Sequence, residues 1–121
     1  MITLMSWGNK FGSPPANYKF DVSFFKNPWR DEKIRNEKDA TKRKEMIIKF
    51  MDNQKGVPAM LSLLYAVCIY LNDEFPDENI AIALCCSAGE YRSPAMVHAL
   101  SAMLTRRKIE HIIKQSNESK I

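Results

Sequence analysis

The chain has no run of about 18 consecutive apolar residues, so a membrane-spanning helix is not expected. Its first residues, Met1–Leu4, carry neither a basic region nor a cleavage site and pass straight into a strand-like pattern, so a signal peptide is not expected either. Cysteine is sparse. Cys68, Cys85 and Cys86 are the only three, and the adjacent pair sits at the end of an apolar run where neither can easily pair. That argues against a disulfide framework, and a reducing, cytoplasmic setting is expected. His98 and His111 stand far apart with no spaced Cys/His/Asp cluster around them, so neither a metal site nor a cofactor is expected. His98 falls off the apolar stripe of its predicted helix and His111 in a possible edge strand, positions that suit surface residues. Internal repeats and linkers are also absent. The 121 residues are read as one domain, 1–121, large enough for one core but not for two.

What is present is the composition of a globular domain, with 45% hydrophobic and 26% charged residues. The net charge of +4 gives a mild preference for anionic partners. Much of the excess lies in two clusters, Lys42-Arg43-Lys44 and Arg106-Arg107-Lys108, whose plainest role is as solvated helix ends.

Ile2–Ser6 reads as a short buried strand, and Trp7–Asn17, with two glycines and Pro14-Pro15, as a loop. Tyr18–Phe25 is aromatic and β-branched and reads as a second strand, broken by Asn27-Pro28. The polar stretch from there to about Ala40 is expected to be a long functional or mobile loop. Helices are predicted over Thr41–Asp52 and Val57–Phe75, the second with Pro58 in its first turn and Pro76 just past its end. Ile80–Cys85 is a continuous apolar run of strand length, the pattern of a parallel strand covered on both faces. Arg92–Thr105 is expected to be helical, Lys108–Ile113 a final strand, and residues 114–121 a polar tail that frays. This order predicts an α/β fold, a small three-layer domain with a mostly parallel sheet.

The strongest signal lies between the third strand and the last helix, in Cys85-Cys86-Ser87-Ala88-Gly89-Glu90-Tyr91-Arg92-Ser93-Pro94. A strand running through a Ser/Gly turn into a helix exposes unpaired backbone N–H groups of Ala88 to Arg92 at the helix N-terminus, where the dipole favours an anion. Arg92 adds a planar two-pronged donor for phosphate oxygens. Ser87 and Ser93 can donate hydroxyl bonds, Gly89 permits positive φ and close approach, and Pro94 fits where no N–H is needed. The segment is therefore read as a phosphate-binding loop, Cys86 to Ser93 inclusive. It also spells Cys86, five residues, Arg92, Ser93, the signature of cysteine-dependent phosphatases. On that alternative Cys86 is the nucleophile, Arg92 the phosphate clamp and Asp31 the candidate acid, with Asp21 behind it. Asp21 lies between aromatics in Phe20-Asp21-Val22-Ser23-Phe24, where a carboxylate must be paired or face a polar cleft. Trp7 and Trp29 flank the loops near the phosphate site; packing is their plainer role, and base or sugar stacking the alternative.

Beyond the loop, Ser6-Trp7-Gly8-Asn9-Lys10-Phe11-Gly12, then Phe20-Asp21-Val22, Asn27-Pro28-Trp29, Gly56-Val57 and Cys86-Ser-Ala-Gly-Glu-Tyr-Arg-Ser93 follow in one order. That set resembles the C-terminal domain of the RapZ family, the RNase adapter proteins, over about Thr3 to His111. The resemblance implies an α/β domain that binds a phosphorylated amino sugar, glucosamine-6-phosphate, and contacts a small regulatory RNA. It implies that Cys86, Ser87, Ala88, Gly89, Arg92 and Ser93 line the phosphate site, with Lys10 and Asp21 approaching from the first two strands. Lys42, Arg43, Lys44, Arg106, Arg107 and Lys108 become the candidate RNA contacts. A protein partner and a homo-oligomer are further expectations. No Gly-x-x-x-x-Gly-Lys-Ser/Thr occurs, so the family's P-loop domain is not expected here, nor is ATP binding; a stand-alone domain is expected, one that either acts through a partner or comes from a genome that trims domains, such as a phage. The chain departs from the family at Ser23, where arginine is usual, at Tyr91, where histidine is usual, and at Ala88, where glycine is usual.

Overall fold

The computed structural model describes residues 1–121. Four strands, β1 (Ile2–Gly8), β2 (Tyr18–Asp21), β3 (Ile80–Cys86) and β4 (His111–Lys114), form one sheet in the order β2-β3-β1-β4. Every pairing is parallel, with Ile2 opposite Ile80 and His111, and Asp21 opposite Cys85. The helices are α1 (Glu32–Asn36), α2 (Ala40–Asp52), α3 (Val57–Glu74) and α4 (Arg92–Arg106). The expected small α/β domain with a parallel sheet flanked by helices is what forms.

The two faces of the sheet are unequal. Ile2, Leu4, Ile80, Ile82, Leu84 and Cys86 point to one face and join a single core with Met96, Leu100 and Leu104 of α4 and Leu64 and Cys68 of α3. The period of two in a strand sends Met5, Ala83 and Cys85 to the other face. There Ala16, in the connection from β1 to β2, packs on them in place of a helix. The strand Ile80–Cys86 is apolar throughout because both its faces are covered.

Several boundaries differ from the sequence expectation, each for a local reason. β2 stops at Asp21 rather than Phe25, because the Asp21 carboxylate accepts from Ser23 N at 2.9 Å and turns the chain. The polar stretch after Asn27 is not an open loop. Asn27 caps a short 3₁₀ turn at Pro28–Arg30, Asp31 caps α1 and Asp39 caps α2, so three side-chain caps order it. β4 begins at His111 rather than Lys108. Lys108 takes a positive φ of 61°, with Lys108 N bonded to Thr105 O and Ile109 N to Leu104 O, so these residues close α4 instead of starting a strand. The tail expected to fray is held down. Ser116 N donates to the buried Ser6 Oγ at 2.8 Å, Gln115 Nε2 to Pro94 O at 3.0 Å, and Lys120 N to Glu90 O at 2.9 Å.

Candidate functional site

The connection leaving β1 runs towards β2, past β3, whereas the connection leaving β3 runs through α4 towards β4, past β1. The two connections therefore cross at the carboxyl ends of β1 and β3 on opposite faces of the sheet, α4 on one and Ala16 on the other, and the carboxyl ends of the strands are the usual place for a ligand in an open α/β sheet. The loop Ser87–Tyr91 lies at that point.

Its backbone is placed by two glycines. A Cβ on Gly8 would lie 2.6 Å from the carbonyl carbon and oxygen of Ala88, and a Cβ on Gly89 2.8 Å from Gly8 N. Gly89 also has φ 71°, a conformation that side chains resist. Lys10 N donates to Ser87 O at 3.1 Å, which ties the end of β1 to the start of the loop. The N–H groups of Ser87, Ala88, Gly89, Glu90 and Tyr91 donate to no protein acceptor. These five consecutive donors stand immediately before the 15-residue helix α4, whose dipole adds partial positive charge. The helix end has no side-chain cap; Ser93 N donates to Cys86 Sγ at 3.4 Å, and Pro94 has no N–H to satisfy.

Arg92 is half-buried and fixed. Its Nη1 donates to the carbonyls of Ser23 and Phe25, the latter at 3.2 Å, and its Nη2 to Ser87 Oγ at 3.1 Å. It has no carboxylate partner, since the one salt bridge in the molecule joins Lys42 to Glu37. A guanidinium held beside unpaired N–H groups concentrates positive charge on one small volume.

The other predicted residues divide into groups. Ser93 is buried, with its Oγ 3.2 Å from Cys86 Sγ, and Cys86 is itself only 2% exposed at the floor of the loop. Cys85 points to the opposite face, where burial raises its thiol pKa above the ordinary value. Asp21 is exposed at the end of β2, with Asn9 Nδ2 at 3.5 Å; the Ser23 hydrogen bond holds its carboxyl below the usual range. Lys10 is exposed, its Nζ 5.3 Å from the centroid of Phe11. Asp31 accepts from Lys33 N as the cap of α1 and lines a separate cleft with Lys26, Lys49 and Phe50. Tyr91 is buried in a stack on Trp29, the ring centroids 5.1 Å apart and 7° from parallel. Burial raises the Tyr91 phenol, with Glu90 adding to the rise and Arg43 opposing it. Trp7 donates its indole N–H to Gly12 O at 2.9 Å, so both tryptophans pack against loops. Glu90 accepts at its carbonyl from Lys120 N, and Ala88 packs over Gly8.

Of the basic clusters, Lys42 pairs with Glu37 at 3.7 Å and Arg43 donates to the Glu37 carbonyl at 2.8 Å. Lys44, Arg106, Arg107 and Lys108 are exposed. Sequence reasoning missed Gly8, Ser6 and the Gln115–Ser116 clasp. A glycine ending an apolar strand was a visible signal for the first; nothing local marked the others.

The RapZ C-terminal domain family model matches residues 1–118. A nucleotide-binding protein of Thermosipho africanus is 25% identical over 111 residues, covering 88% of this chain and 39% of the relative. One from Burkholderia cenocepacia is 30% identical over 110 residues, covering 88% and 35%. One from Bacillus pumilus is 26% identical over 121 residues, covering 98% and 41%. The chain thus spans about two fifths of the length of these relatives. With residues 1–118 of its 121 covered by that match, the chain belongs to the RapZ C-terminal domain family.

Proposed function

We propose that this domain binds a phosphorylated small molecule at Cys86–Ser93, of the phosphorylated amino-sugar class. The observation that carries the reading is the row of five unpaired N–H groups beside an immobilised Arg92 that lacks a carboxylate partner. A dianionic phosphate gives those donors acceptors and gives Arg92 its counter-charge. Asp21, kept ionised by Ser23, suits the ammonium of an amino sugar, and Lys10 the outer phosphate oxygens. The relatives are nucleotide-binding proteins by name, and a nucleotide too is a phosphorylated ligand.

Calorimetric titration with glucosamine-6-phosphate, inorganic phosphate and unphosphorylated glucosamine tests it. Both phosphates are expected to bind, glucosamine is not, and Arg92→Lys is expected to weaken binding about tenfold or more by losing the planar fork. Failure of every phosphorylated probe to bind would sink the reading.

A second reading is phosphatase chemistry, favoured by one observation: Ser93 N and Oγ both lie within 3.4 Å of Cys86 Sγ, which fixes the sulfur at the start of the loop. The thiolate would attack phosphorus and expel an alkoxide that needs a proton, yet Asp31 caps α1 and faces another cleft. Turnover of an aryl phosphate by the wild type, lost in Cys86→Ser, would establish it; no turnover leaves a binding domain.

An RNA role is an extension of the proposal. Arg106, Arg107 and Lys108, exposed at the end of α4 and free of ion pairs, are the better-placed backbone contacts. Triple charge reversal there is expected to reduce the salt slope of RNA binding by about three.

A further inference from the structure

One sizeable cavity lies away from the phosphate loop. It is a cleft of about 610 Å³ bounded by α1, α2 and the turn after α2, and it carries four lysines, Lys26, Lys33, Lys49 and Lys55. All four are exposed and none is ion-paired; the cleft's one carboxylate, Asp31, is engaged as the cap of α1. Its floor is apolar, made by Ile34, Met46 and Phe50. A second cavity of about 530 Å³ shares Lys26, Gln54 and Lys55 with the first and continues along α3 over Ala59, Met60 and Leu63. Phe24, 67% exposed, and Leu63, 53% exposed, stand beside it.

The saddle between the cavities is rigid. Lys26 N donates to Gln54 Oε1 and Gln54 Nε2 to Lys26 O, both at 2.8 Å. The result is one groove, cationic at one end and apolar at the other, formed in the unliganded chain. Preformed geometry lowers the ordering cost of binding. Exposed large apolar side chains grouped beside an uncompensated charge cluster mark an interaction surface more than a solvated one.

We propose that this groove docks an acidic peptide segment of a partner protein, with apolar anchors at helical spacing. Charge complementarity assigns the sign: four free ammonium groups face any occupant of the first cavity. The wall chemistry assigns the class. Ile34, Met46, Met60 and Leu63 are aliphatic or thioether surfaces, which take the apolar anchors of a helix laid in a groove. A nucleic acid would call for arginine forks on its phosphates, and no arginine lines the groove; its rings, Phe24, Phe25 and Phe50, serve equally as apolar surfaces for the anchors of a helix. The site is independent of the phosphate loop: neither cavity is lined by any residue from Cys86 to Ser93.

The test is fluorescence anisotropy of the full chain with a labelled amphipathic peptide of about 16 residues, leucine at i, i+3, i+4 and i+7 and glutamate elsewhere. A scrambled peptide of the same composition and an oligo-uridine RNA of similar charge are the comparisons. Saturable binding of the amphipathic peptide is expected, weaker for the scramble. It should fall about tenfold or more in Lys26→Glu/Lys49→Glu and, separately, in Leu63→Glu. These side chains are exposed, so unchanged melting temperatures would show that the variants fold. No saturable peptide binding, or binding equal in wild type and both variants, overturns the proposal. RNA binding more tightly than peptide and losing affinity in the lysine variant also overturns it, making the groove a nucleic-acid site.

Discussion

Gly8 and Ala88 meet backbone to backbone: any Cβ on Gly8 would stand 2.6 Å from the Ala88 carbonyl. No flexible side chain can yield there, so the end of β1 sets the path of the phosphate loop directly. Gly8→Ala is therefore expected to push the loop outward, costing roughly 1–3 kcal/mol by overpacking. Inorganic phosphate should bind the variant at least about tenfold more weakly, read by calorimetry. Undiminished affinity would show that the loop tolerates the displacement.

Ser6 is 1% exposed; its hydroxyl donates to Gln115 Oε1 and accepts from Ser116 N. Ser6→Ala leaves that N–H and the Gln115 oxygen without a partner, an expected loss of about 1–3 kcal/mol. Hydrogen exchange should accelerate at Ser116 and Lys120 ahead of the core strands. Uniform exchange across the chain would contradict a locally clasped tail.

Lys108 closes α4 in the left-handed conformation without being glycine. A side chain there costs about 1 kcal/mol, which glycine removes while adding some freedom to the unfolded chain. Lys108→Gly is expected to raise stability by roughly 0.5 kcal/mol and Lys108→Val to lower it, both read from urea midpoints.

The Cys68 thiol is 1% exposed, and burial pushes its pKa up from 9.0 to about 11. The unfolded thiol ionises first as pH rises. The associated stability is therefore fully present below about pH 9 and lost between about pH 9 and 11, amounting to at most about 3 kcal/mol. Cys68→Ala should flatten that part of the curve while lowering stability at neutral pH through the cavity it leaves. Parallel curves for the two proteins would contradict the assignment.

Some of this was legible in the residues alone because it depends on short-range chemistry. The continuous apolar run Ile80–Cys85 carries the pattern of a covered parallel strand, and the Gly/Ser turn into an arginine-led helix marks where consecutive backbone N–H groups go unpaired. The stripe of α4 and the two prolines that frame α3 likewise carry their own periodicity and stops. Boundaries set by side-chain caps were less visible, since Asn27, Asp31 and Asp39 act only once the chain already turns beneath them.

Tertiary structure decided the rest. That Arg92 is held by the carbonyls of Ser23 and Phe25, 69 and 67 residues away, depends on β2 lying beside β3. That Ser6 clasps Ser116 depends on β4 lying beside β1 on the other side. The basic groove gathers Lys26, Lys33, Lys49 and Lys55 from segments that share no motif. Local propensity dictates which elements form, but a site made from several of them exists only after burial of their apolar faces has fixed their arrangement.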